Sequence, residues 1–338
     1  MQSVAALGRY AIWGACVALL PPLQAGAKAT YEKIWAHRAN TQVERINNGG
    51  TVAGRFDVTG IDTRAFIKAP DGRVVDFAVD GAVVTIPRGL TDAGAVGGRY
   101  DLPDDSIHGF FRDSSGTLTA FDGPGLGAAE IAGMNAGNDI AGTYFIDENQ
   151  NLGGFIRHQD GAFTSFRIDE AYPGTLRIAG INRKGEIAGY YTDSSFVSHA
   201  FLRQRDGSTT TFDAPEGKGI SVYAINDKGW TAGFFSNHGA LQGFVRKRNG
   251  EAETFYPPGA FIAITAMNNE GDVTGCYARN FRNYGFIRKA GGKMIGFGLP
   301  WGQSEAMCAQ SINEAGQVAG YVRYGSFGEK ELGFVRTP

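Results

Sequence analysis

One position constrains this chain more than any other. Seven residues after a recurring marker, glycine stands in every copy: Gly54, Gly98, Gly142, Gly189, Gly233, Gly275 and Gly320. The marker is Asn47, Asn135, Asn182, Asn226, Asn268 and Asn313, with Thr91 in the remaining copy. Successive markers lie 44, 44, 47, 44, 42 and 45 residues apart. Three residues after each come Gly50, Gly94, Asn138, Gly185, Gly229, Gly271 and Gly316. The single Asn in that set is informative, because Asn is the non-glycine residue that best tolerates a left-handed backbone. Asn-x-x-Gly therefore reads as a type I turn followed by a left-handed residue, a common hairpin connection.

The rest of each copy supplies two more strands. Phe66, Phe110, Phe155, Phe201, Phe244, Phe286 and Phe334 open a third strand, each with a basic residue two positions on (Lys68, Arg112, Arg157, Arg203, Arg246, Arg288 and Arg336). After a Gly-containing turn, Phe77, Phe121, Phe166, Phe212, Phe255 and Phe297 mark a fourth. Four short strands in about 44 residues is the period of a propeller blade and not of a helical solenoid. Fifty glycines against twelve prolines agree with many tight turns. The expected fold is an all-β, seven-bladed β-propeller. Its last copy lacks a fourth strand, and residues 30–35 have no hairpin of their own. Tyr31 precedes Asn47 by the spacing that separates Phe166 from Asn182, so this N-terminal stretch is expected to complete blade seven and close the ring.

Residues 1–29 differ from the remainder. Arg9, an apolar run from Tyr10 to Leu20, Pro21-Pro22 and then small residues around Ala25-Gly26-Ala27 read as a secretory signal peptide. The run is too short to span a bilayer, which takes roughly 20 residues. Residues 30–338 are then one domain, secreted or periplasmic, without stable membrane insertion after cleavage. Cys276 and Cys308 remain in an oxidising compartment. If each hairpin pairs its Asn with the residue four later, the two lie one pair apart in height on opposite sheet faces. They are a candidate disulfide between blades six and seven. The formal charge of −2 offers no basic excess for nucleic acid.

The segments HAFLRQRDGSTTTFD (199–213) and AINDKGWTAGFF (224–235) resemble the bacterial extracellular HAF-repeat proteins, and weaker copies extend the likeness over residues 40–338. Only the fourth copy spells His199-Ala200-Phe201; the triplets of other copies include His-Gly-Phe, Gly-Gly-Phe and Gln-Gly-Phe. The resemblance implies an exported, repeat-built bacterial protein. It brings no activity and no catalytic residue.

Repetition argues that the Asn and Arg cues serve the fold, through turn capping and stem packing. Function is expected where copies differ, in the second-to-third and blade-to-blade loops at the end opposite the Asn turns. One side of that face is acidic, with Asp101, Asp105, Asp147 and Asp193. The other is basic and aromatic, with Arg279, Phe281, Trp301 and Arg323, and Tyr172 and Tyr256 lie in blade-to-blade loops. The leading expectation is binding of a ligand or partner there, carbohydrate or an extracellular protein, with no cofactor. The alternatives are a glycoside hydrolase or lyase using Asp101, Asp147 or Asp193, and a purely structural or adhesive protein. The five histidines show no metal-ligand spacing.

Overall fold

The computed structural model describes residues 29–60, 62–215, 218–257, 259, 261–300, 306–325 and 330–338. The stretch read as a signal peptide, up to residue 28, lies outside them, as does Trp301. The described chain is all-β, with 28 strands and a single 3₁₀ turn at Ala36–Arg38.

The fourth copy shows the unit. β14 (Arg177–Ile181), β15 (Ile187–Thr192), β16 (Ser198–Arg203) and β17 (Thr209–Phe212) form one antiparallel sheet in chain order. Sheets of the same order run from β10 (Ala128–Met134) to β13 (Phe163–Phe166), from β18 (Lys218–Ile225) to β21 (Ala252–Phe255), and from β22 (Phe261–Met267) to β25 (Met294–Phe297). The first two copies, β2 (Thr41–Ile46) to β5 (Val74–Phe77) and β6 (Val84–Leu90) to β9 (Leu118–Phe121), are linked into one eight-stranded sheet by a single parallel bridge, Thr63 to Val84. In the last sheet β26 (Ala306–Ile312), β27 (Val318–Tyr324) and β28 (Lys330–Thr337) are joined by β1 (Thr30–Ile34), paired antiparallel to β28. The first strands of successive copies pack on one another, and β26 packs back against β2.

The marker turns have the geometry their residues imply. At Asn182, the Gly185 amide donates to the Asn182 carbonyl and the Glu186 amide to the Asn182 side-chain oxygen. The seven residues at the third position after the marker have φ between 64° and 92°. The marker amide reaches further. Nδ2 of Asn47, Asn135, Asn182, Asn226, Asn268 and Asn313 donates to the marker carbonyl of the next copy at 3.0–3.1 Å, the last returning to Asn47. Buried amides and carbonyls are thereby satisfied between sheets, where strand ladders cannot reach.

The invariant glycine answers to a feature absent from the simple hairpin pattern. Every first strand carries a β-bulge three residues before its marker, as between Val43 and Arg45 or Ile178 and Gly180. Two residues before the bulge, a first-strand carbonyl faces the glycine of the second strand. A Cβ at Gly54, Gly98, Gly142, Gly189, Gly233 or Gly275 would meet that carbonyl and also lie 2.6–3.0 Å from the fully buried third-strand Phe. Glycine is required there for space.

The repeated cation also serves the fold. Arg112, Arg157, Arg203, Arg246, Arg288 and Arg336 each sit over the fourth-strand Phe of the preceding copy, 4.2–5.1 Å from the ring centre. Such stacking contributes about 1–2 kcal/mol when partly desolvated. Lys68, whose preceding sheet ends in β1, instead pairs with Glu32 at 2.7 Å.

Candidate functional site

The two ends of the molecule differ in kind. One carries the marker turns. The other carries the variable connections, and there each candidate can be placed.

Asp147 and Asp193 belong to their own turns. Asp147 Oδ1 accepts from the amides of Asn149 and Asn151, and Oδ2 from the Asn151 side chain. The Asn151 side-chain bond holds its carboxyl below the usual range. Asp193 Oδ1 accepts from the amides of Ser195 and Val197, and the Val197 bond depresses its pKa most. Asp101 pairs with Arg99 at 3.3 Å and keeps one buried oxygen without a hydrogen-bond donor. Asp105 takes the left-handed position of its turn, at φ 64°. Arg323 donates from Nε to Glu331 at 2.7 Å, a bond that raises its pKa. Tyr256 is exposed, its hydroxyl bonded to the Gln242 amide. Arg279 ends β23 (Val273–Arg279), beside a fully exposed Phe281.

Two clusters emerge. The junction of the third and fourth copies gathers Tyr172, Phe196, Asp193 and His199. The Tyr172 and Phe196 rings lie 5.5 Å apart, 44% and 76% exposed. His199 is held from both sides, Nδ1 to Asp213 at 2.6 Å and Nε2 to Asp193 at 3.3 Å. Burial disfavours its charged form, but the bonds to Asp213 and Asp193 outweigh burial and raise its pKa. The equivalent His108 bonds Asp122 through Nδ1 at 2.5 Å and Ser106 through Nε2 at 2.8 Å. Ser106 Oγ donates its one proton to Asp104 at 2.6 Å, so His108 does not receive it as a general base would. Asp213 was not a sequence candidate. Phe196 takes the left-handed position of its turn that Asp105 and Gln150 hold in earlier copies.

Cys276 and Cys308 form a disulfide, with Cα atoms 4.9 Å apart. The bulge sets Cys276 opposite Ala263, five residues before its marker. Cys308 stands five before the next marker, so the two occupy the same height and not heights one pair apart.

A cavity of about 300 Å³ opens at the other end, among the marker turns, and is lined by the first strands of every copy. None of the loop candidates lines it. Among the described residues no group of three or more His, Cys, Asp or Glu could hold a metal ion.

No family model matches the chain, and no curated protein matches it. Solved structures do. Catalytically inactive virginiamycin B lyase from Staphylococcus aureus with quinupristin matches at TM-score 0.61 and 14% identity, over 92% of this chain and all of that one. Acylaminoacyl peptidase from Pyrococcus horikoshii matches at TM-score 0.60 and 8% identity, over 84% of this chain and 49% of that one. TolB from Acinetobacter baumannii matches at TM-score 0.50 and 12% identity, over 92% and 97%. At these identities the likeness is one of propeller-like fold.

Proposed function

We propose that the chain is a seven-bladed β-propeller of the HAF-repeat kind, exported from a bacterial cell, that binds carbohydrate through its variable-loop face. One observation carries this reading: the paired, solvent-exposed rings of Tyr172 and Phe196 beside Asp193, His199 and Asp213. Exposed aromatic faces stack on the C–H faces of sugars, and neighbouring carboxylates accept from hydroxyls. A disulfide between adjacent sheets suits an oxidising compartment. The peripheral bonding of Asp147 and Asp193 favours binding over a carboxylate-driven hydrolase, which needs one carboxyl kept protonated as the acid.

The test is a glycan array probed with the chain from residue 30 onward, compared with Tyr172→Ala and Phe196→Ala. Binding lost in both variants while their melting temperatures stay within a few degrees supports the reading. Binding that survives both places the ligand elsewhere.

A second reading rests on His199. An imidazole fixed between two carboxylates, with its pKa raised, is equipped to donate a proton in a lyase reaction. Product formation from a bound glycan, abolished in His199→Ala with binding retained, would select it.

A further inference from the structure

The cavity at the marker end is built unlike the loop face. Its outer rim is the set of residues following each marker. Asp92 accepts from the Asn48 amide and side chain, Asp227 from the Arg183 amide and the Asn269 side chain, and Glu314 from the Asn269 amide. These acids are committed to the turns and stand at the solvated mouth, where their repulsion of an anion is screened.

Deeper, the wall is asymmetric. The two positions that line the channel before each marker are small in the third and fourth copies, Ala132-Gly133 and Ala179-Gly180. In the first and second copies Arg45 and Arg88 occupy them. Tyr223 lines the cavity from the fifth copy, its ring stacked 5.3 Å from Phe234. Thr265 and Gln310 complete the circuit.

The arginines are under-neutralised. Arg45 donates from Nε to the Arg88 carbonyl at 2.8 Å and from one terminal nitrogen to the Glu44 carbonyl at 2.7 Å, using two of its five N–H groups. Arg88 pairs with Glu44 at 3.7 Å, and its buried Nε has no hydrogen-bond partner. Glu44 is shared again, with Arg55 at 3.5 Å. The nearby Glu331 is engaged by Arg323 and Gln42. Three guanidiniums thus face the single carboxylate of Glu44. Burial first, and the charge of Arg88 after it, push the Arg45 guanidinium down to about 10 despite the opposing pull of Glu44. A buried donor without an acceptor is costly, and guanidiniums match carboxylates in shape and charge.

We propose that this cavity binds a small monocarboxylate, its carboxylate on Arg45 and Arg88 and its body between the Ala179–Gly180 wall and Tyr223. The volume is at the lower end of that of small-molecule sites. Of the three arginines only Arg45 and Arg88 line the cavity, and Glu44 pairs with Arg88, so the lining arginine left without a carboxylate, Arg45, takes a single negative charge. The site is independent of the carbohydrate reading.

Titration calorimetry on the chain from residue 30 tests it, with benzoate and glucuronate set against benzamide and glucose. Both carboxylates should bind, with affinity at least tenfold above their neutral counterparts. Arg88→Gln should lower that affinity at least tenfold, and Arg88→Lys should lower it less. Ala179→Phe, which fills the cavity and leaves every charge in place, should abolish it while leaving glycan binding at the loop face unchanged. A far-ultraviolet melt of each variant establishes folding. The proposal is overturned if the neutral compounds bind as well, if neither carboxylate binds at millimolar concentration, or if folded Arg88→Gln and Ala179→Phe both bind as the parent does. Inorganic phosphate displacing both carboxylates at equal concentration would overturn the monocarboxylate assignment.

Discussion

Asn313 Nδ2 donates to the backbone carbonyl of Asn47 at 3.0 Å, across 266 residues of sequence. The same side chain accepts from the Gln317 amide through Oδ1, so one buried residue caps its own turn and ties the last sheet to the first. Asn313→Ala removes both functions and leaves the Gln317 amide and one acceptor site of the Asn47 carbonyl unsatisfied. A loss of about 2–3 kcal/mol is expected. Urea unfolding checks it, and Asn313→Asp should recover less than half, because a carboxylate restores the cap and repels the Asn47 carbonyl.

The belt of such bonds has one gap, and the gap can be filled. Thr91 caps its turn through Oγ1, which accepts from the Ala95 amide at 3.1 Å, but it has no amide to pass on. The Asn135 carbonyl consequently accepts the Asn138 amide and lacks the second donor that its counterparts receive. Thr91→Asn is expected to raise stability by about 0.5–1.5 kcal/mol, the net worth of one hydrogen bond. Chemical denaturation under the same conditions measures it. A decrease would show that the second copy holds its marker too far from β10.

Much of this architecture was legible in the sequence, because its devices recur. Asn-x-x-Gly, the glycine at seven, and the Phe and Arg of the outer strands each carry one physical requirement in six or seven of the copies. The bulge was not legible, since it shifts pairing by one residue and its position carries a different kind of residue from copy to copy, from Ala132 to Arg88 and Tyr223. It therefore altered the relative heights expected of Cys276 and Cys308. The loop residues were legible as chemistry but not as geometry. Asp147 and Asp193 looked like candidate acids and proved to be turn caps. Arg45 and Arg88 were overlooked for the opposite reason. Attention to what the copies share hid Arg45, which stands where the other copies have Gly, Ala or Ser, and Arg88, at a position that varies from Ala132 to Tyr223.

The Cys276–Cys308 disulfide joins sheets whose cysteines lie 32 residues apart. Loop-closure entropy for that separation is worth roughly 3–4 kcal/mol. Reduction, or Cys308→Ser together with Cys276→Ser, should lower the melting temperature by several degrees without changing the circular dichroism spectrum at 25 °C. A thiol titration of the unfolded, unreduced chain should count neither cysteine.

His199 makes stability fall towards alkaline pH. Its folded pKa is raised above the unfolded value of about 6.5 by Asp213 and Asp193, so its contribution is complete below that value. The contribution is lost as pH rises through the folded pKa. Unfolding free energies at pH 6, 7, 8 and 9 should decline in the parent and decline less in His199→Gln. Asp193 acts in the opposite sense: its pKa is lowered, so its contribution disappears as pH falls below the ordinary carboxylate range. A flat profile from pH 6 to 9 in the parent would mean the two carboxylates do not hold the ring in solution.

Phe281 presents the sharpest conflict between stability and use. Its backbone is left-handed, φ 60°, and its ring is wholly exposed, so no packing offsets the strain. A left-handed conformation costs a side chain roughly 1–2 kcal/mol that glycine does not incur, partly cancelled by the larger entropy glycine loses on folding, about 0.5–1 kcal/mol. Phe281→Gly is therefore expected to be neutral or stabilising by up to about 1 kcal/mol. Phe196→Gly should gain less, because at φ 61° the Phe196 ring at least rests on Tyr172. Strained residues of this kind persist where exposure itself is useful. Both substitutions should then weaken binding at the loop face while leaving or raising the melting temperature. A Phe281→Gly variant that loses stability and binds normally would make that ring an ordinary turn residue and confine the loop-face site to the Tyr172 side.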